Sequence, residues 1–207
     1  MISRTRFKWK LSLGLSLTLF LAAGATRRYW LEAMAQSLVS PGLVDKSEII
    51  LIENLENEYP LFEHAAKLCQ AGFGQRILVP VQSEGGPAEQ TPVALKIAEL
   101  MCQAAGITDP EIVMVTLHEP YSIGMARQLA LRLQAERVPS VIVTTSGFRS
   151  RRTYLTYHSV LSPLGIRVSC SPVFGDSRPD NWTQTWHGVQ GVVLQLVKLN
   201  YYKWVVL

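Results

Sequence analysis

Five short runs of β-branched and aliphatic residues recur along the chain, at residues 49–52, 77–81, 112–115, 141–143 and 166–169. Each is followed by a longer stretch with apolar residues at helical spacing and its own start and stop signals. Pro60 starts and Gly72 ends the first; Thr91 and Pro92 start and Gly106 ends the second. Ser122 is placed to cap a helix reaching about residue 137, and residues 149–162 carry Tyr154, Tyr157, Val160 and Leu161 at helical spacing. A last helix opens at Asn181 or Thr183 and runs to about residue 204, with Gly188 and Gly191 weakening its first half. Strands alternating with helices of this length demand βαβ units, right-handed crossovers and a mostly parallel five-stranded sheet with helices on both faces. Pro80 is expected to mark the end of the second strand.

The 207 residues default to one folded domain. The net charge of +4 does not describe that domain. Arg4, Arg6, Lys8, Lys10, Arg27 and Arg28 supply six of the 20 basic residues, and residues 1–28 hold no acid. Residues 29–207 are left with 14 basic against 16 acidic side chains, which excludes a nucleic-acid footprint on the folded part.

The basic start leads into an uncharged apolar stretch, residues 11–25. Its length suits a signal-peptide core of about 7–15 residues better than a span of roughly 20, and Ala23-Gly24-Ala25 has a small-x-small cleavage pattern. Arg27 and Arg28 directly after it, and Phe7 and Trp9 before it, favour an uncleaved single-pass anchor. The excess of Lys and Arg ahead of the stretch then places the folded domain on the extracytoplasmic side. Residues 29–46 read as a juxtamembrane connector, with a helix over about 30–38 stopping before Pro41-Gly42.

Ligands of parallel α/β sheets sit beyond the carboxyl ends of the strands, which selects the loops after each run. Their polar candidates are Glu53, Asn54, Glu84, His118, Glu119, Ser122, Thr145, Ser146, Arg149 and Arg152. The segment 141–152, VIVTTSGFRSRR, passes from buried strand through a hydroxyl-rich turn into a helix. Arginine at a helix start opposes the helix dipole, so Arg149 and Arg152 imply an anion held with the Ser146 and Gly147 amides, unless they pair with carboxylates. Glu119 is suited to act as acid or base, to hold a ligand hydroxyl, or to hold Arg152. Trp182 and Trp186 either close over the site or pack the last helix. Cys69, Cys102 and Cys170 form no CxxC, so neither a disulfide framework nor a zinc site is expected. Neither GxGxxG nor a P-loop is present, and no cofactor is expected.

Residues 144–152, TTSGFRSRR, resemble the VTSxFHxRRA signature of the SanA/ElyC/YdcF-like proteins, a domain-of-unknown-function family, matching at Thr145, Ser146, Phe148 and Arg152. Residues 118–130, HEPYSIGMARQLA, are similar to a second family segment at Glu119 and Ser122. The tail resembles the family's closing helix at Lys198, Leu199, Tyr201 and Tyr202. The likeness covers about residues 47–207. Glu53-Asn54-Leu55 stands where the family has a glycine-rich turn, and Arg149 where it has histidine. The resemblance implies a Rossmann-like domain linked to bacterial envelope biogenesis. The resulting expectation is a membrane-anchored extracytoplasmic domain that binds an anionic small molecule or envelope precursor through Ser122, Thr145, Ser146, Gly147, Arg149 and Arg152. Two alternatives stand beside it: a transferase or hydrolase of a phosphorylated or lipid-linked precursor with Glu119 as the catalytic group, and a non-catalytic scaffold.

Overall fold

The five β-branched runs, save Ile166 at the start of the last, lie in the strands of one sheet in the computed structural model, which describes residues 22, 24–42, 44–83, 91–116 and 119–207. The strands are β1 (Ile49–Ile52), β2 (Arg76–Ser83), β3 (Pro110–Thr116), β4 (Ser140–Ser146) and β5 (Arg167–Val173). Helices α2 (Tyr59–Gln70), α3 (Thr91–Ala104), α4 (Tyr121–Ala135) and α5 (Ser150–Leu161) connect them in turn; α1 (Arg27–Gln36) precedes the sheet and α6 (Trp186–Tyr201) follows it. The sheet order is β3-β2-β1-β4-β5 and every pair is parallel, a Rossmann-like α/β arrangement.

Alternation along the strands divides the core in two. Ile50, Ile52, Ile77, Val79, Val81 and Ile142 pack against α2 and α3. Ile49, Leu51, Leu78, Val141 and Val143 pack against α4 and α5. The central strands are therefore apolar on both faces, as a covered parallel sheet requires. The chain winds outward from β1 to β3 and then crosses to β4, so the order reverses between β1 and β4. That reversal opens a crevice at the carboxyl ends of the strands.

Three local expectations are revised. β2 continues through Pro80 to Ser83, paired throughout with β3. β1 has only four residues, so this part of β2 lies beyond its end and has one free side, where a proline is tolerated. Ser122 does not cap α4; Pro120 holds that position and Ser122 is the second residue of the helix, fully buried. Nor does Asn181 or Thr183 open the last helix. Residues Trp182–Gln184 form a 3₁₀ turn, and Thr185 caps α6 by accepting from the Gly188 amide at 3.0 Å.

Helix α1 starts at Arg27, two residues ahead of the expected connector, and is part of the packed structure: its Ala35, with Leu38 beyond it, contacts Trp182, Val192 and Leu199. The apolar stretch expected to form an anchor lies mostly outside the described residues. Among the described residues no helix is long and apolar enough to cross a membrane.

Candidate functional site

The crevice at the reversal is a cleft of about 680 Å³, and its lining comes from every strand-end region except that of β5. Leu55 and Glu56 follow β1, Gln82 ends β2, Glu119 to Ser122 lead into α4, and Arg149 and Arg152 follow β4. The far wall is formed by Lys198, Tyr201 and Tyr202 at the end of α6. Loops selected one by one from the sequence thus converge, and Glu119, Ser122, Arg149 and Arg152 share one concavity.

The two arginines differ in their partners. Between β4 and α5 the chain makes a 3₁₀ turn, Gly147–Arg149, so Arg149 immediately precedes the helix and Arg152 lies in its first turn. Arg149 is 3% exposed; its Nη2 pairs with Glu56 at 2.8 Å and Glu58 at 3.2 Å. Burial works against its charge, but Glu53, Glu56 and Glu58 outweigh burial and hold the guanidinium above its ordinary value. Burial pushes Glu58 above the usual carboxylate range, against the pull of Arg149. For Arg149, carboxylate pairing is therefore the observed situation, although its Nε and Nη1 have no partner among the described residues.

Arg152 is 7% exposed and has no carboxylate within ion-pair distance among the described residues. Its Nη1 donates to Ser122 Oγ at 3.1 Å, and the guanidinium lies over the Tyr202 ring, 4.9 Å from its centroid. Its buried Nε has no partner among the described residues. Lys198, on the same wall, is also unpaired with any described carboxylate. Glu119 is exposed at the cleft and pairs with neither arginine; the expectation that it holds Arg152 gives way to Ser122 and Tyr202.

Thr145, Ser146 and Gly147 are absent from the cleft lining. Thr145 is fully buried and donates its hydroxyl to Glu53 Oε2, which also accepts from Thr153 Oγ1 at 2.7 Å. Its role is to satisfy a buried acid behind the cleft. Gly147 lies under Phe174, whose ring occupies the space a side chain would need. The start of α5 is also occupied, since the Arg151 amide donates to the Leu38 carbonyl at 2.9 Å and Ser150 Oγ accepts from the Ser40 amide at 2.9 Å. The anion reading therefore moves from backbone amides to side chains.

Glu53 itself is fully buried, with Oε1 unpartnered. Trp182 is buried and donates to the Leu31 carbonyl, while Trp186 is 73% exposed; neither lines the cleft. His118 and Glu84 lie outside the described residues. The cysteines are free, and burial pushes the Cys102 thiol up to about 11. No group of acids, histidines and cysteines suited to a metal occurs among the described residues.

Spacing arguments missed Lys198, Tyr201 and Tyr202, which reach the cleft from the opposite end of the chain. Their only sequence signal was the tail's likeness to the SanA/ElyC/YdcF closing helix.

No family model matches the chain, and no curated protein matches it. Among solved structures it is similar to a universal stress protein in complex with cAMP, at 13% identity and a TM-score of 0.41, over 62% of this chain and 98% of that one.

Proposed function

We propose that the cleft binds an anionic small molecule, with Arg152 and Lys198 as its cationic anchors. The observation that carries this reading is Arg152: more than nine-tenths buried, with no carboxylate partner and no acceptor for its Nε among the described residues, and fixed in orientation by Ser122 and Tyr202. A buried cation without a counter-charge is costly, and a bound phosphate or carboxylate would supply both charge and acceptors. Arg149, neutralised by Glu56 and Glu58, serves to shape the floor. The SanA/ElyC/YdcF resemblance extends this to an extracytoplasmic protein of the bacterial envelope, tethered by the apolar stretch 11–25, whose ligand is an envelope precursor.

The reading is tested by thermal unfolding of the full chain with inorganic phosphate or pyrophosphate. A ligand at about 100 times its Kd adds about 2.7 kcal/mol, roughly 5–10 °C for a chain of this size. Wild type should show that rise for at least one of the two anions and Arg152→Ala should lose it; equal rises in both proteins would reject the proposal. A second reading, hydrolysis or transfer, is favoured by Glu119, a carboxylate at the cleft unpaired with the arginines. Release of orthophosphate from pyrophosphate during the same incubation, abolished by Glu119→Gln, would decide for it.

A further inference from the structure

Helix α6 has two differently occupied sides. Its Gly188, Val192 and Leu199 are buried, and Lys198 and Tyr201 reach the cleft. The other side carries Trp186, Val193, Val197, Trp204 and Val205, all exposed, with Val197 at 63% and Trp204 at 83%. Residues 186, 193, 197 and 204 follow helical spacing, so this is a continuous apolar stripe on which none of the described residues packs. The stripe lies in a segment of one charge sign: residues 181–207 contain Lys198 and Lys203 and no Asp or Glu.

Tryptophan with aliphatic residues, beside exposed Lys203 and free of acids, is the composition of a helix lying at a membrane interface, where indole rings sit at headgroup level and lysine meets anionic lipid. A second copy of the stripe would bring no carboxylate to Lys203. The position along the chain agrees. The uncharged stretch 11–25 ends just before α1, which starts at Arg27 and Arg28, continues into exposed Tyr29, and packs on α6 through Ala35. A bilayer holding that stretch lies within reach of α6.

We infer that the outer face of α6 docks flat on a bilayer surface carrying anionic headgroups. The inference is independent of what the cleft binds. It places the wall bearing Lys198, Tyr201 and Tyr202 along the flank of the membrane-facing stripe, so the cleft opens beside the headgroup layer.

The test uses the full chain reconstituted into vesicles of phosphatidylcholine with phosphatidylglycerol. A benzophenone side chain replaces Val197, or Lys67 on α2 as a control, itself exposed and on the far face of the sheet. Illumination should give lipid adducts at 197 and only background at 67, with the 197 yield falling on phosphatidylcholine alone. Equal yields on the two vesicle types would overturn the assignment of anionic headgroups. Cross-linking of 197 to a second copy, cross-linking to a peptide from residues 1–21, or absence of any adduct at 197 would overturn the docking itself. Anion-induced stabilisation, measured separately in detergent, is unaffected by any of these results, so the two proposals fail separately.

Discussion

Arg149→Ala and Arg152→Ala are expected to be damaging in different ways. Removing Arg149 leaves Glu58 and the buried Glu53 without their nearby cation, and loss of one partner of a buried pair costs roughly 3–5 kcal/mol. Glu56 and Glu58 are partly exposed and can relax into water, so a loss on the order of 2 kcal/mol in urea unfolding is expected. Arg152→Ala should instead leave stability near wild type and remove the anion response. The residues involved show what a sequence conceals at this scale. Thr145 sits at a strand end, where a hydroxyl reads as a ligand contact; only the packed structure shows it turned to Glu53. Glu53 is itself exceptional, because an acid just after a strand usually reaches solvent, whereas here Thr145 and Thr153 supply donors inside the core. Arg149 and Arg152 could be paired by spacing, but the counter-charges of one lie about 90 residues upstream and the other has none among the described residues.

At the scale of elements, the strands were legible because β-branched runs bounded by helix signals leave few alternatives, and their ends were not, because length depends on the neighbouring strand. β2 outruns its expected end for that reason. The two glycines at the start of α6 make a sharper case. A side chain at Gly188 would overlap the Trp182 carbonyl oxygen, whereas at Gly191 it would meet nothing within 4 Å. Alanine normally stabilises a helix interior by about 0.5–1 kcal/mol relative to glycine. Gly191→Ala should therefore gain about that much, while Gly188→Ala should lose stability despite the better helix former, a reversal of sign readable in paired denaturation curves. The sequence reading of both as weaknesses holds for Gly191 alone.

For the whole molecule, a parallel five-stranded sheet followed from the repeated βαβ pattern, but the strand order and the composition of the cleft did not, since α6 returns to the site from the other end of the chain. The same long-range closure appears at His64 on α2, whose Nε2 lies 2.8 Å from Ser171 Oγ on β5. Burial, reinforced by Lys67, lowers this imidazole below its ordinary value of 6.5. As pH falls below that value the unfolded chain takes up a proton that the folded chain resists, so stability declines until the folded imidazole also titrates. Urea midpoints should fall between neutral and mildly acidic pH, and His64→Gln should flatten that part of the decline.

The hydrogen bond from the Arg151 amide to the Leu38 carbonyl has a mechanical corollary. The lead-in from α1 is fastened to the first turn of α5, between the two arginines in sequence. The entry segment is thereby one of the struts that fix where the first turn of α5, and with it the pocket's two guanidiniums, stands.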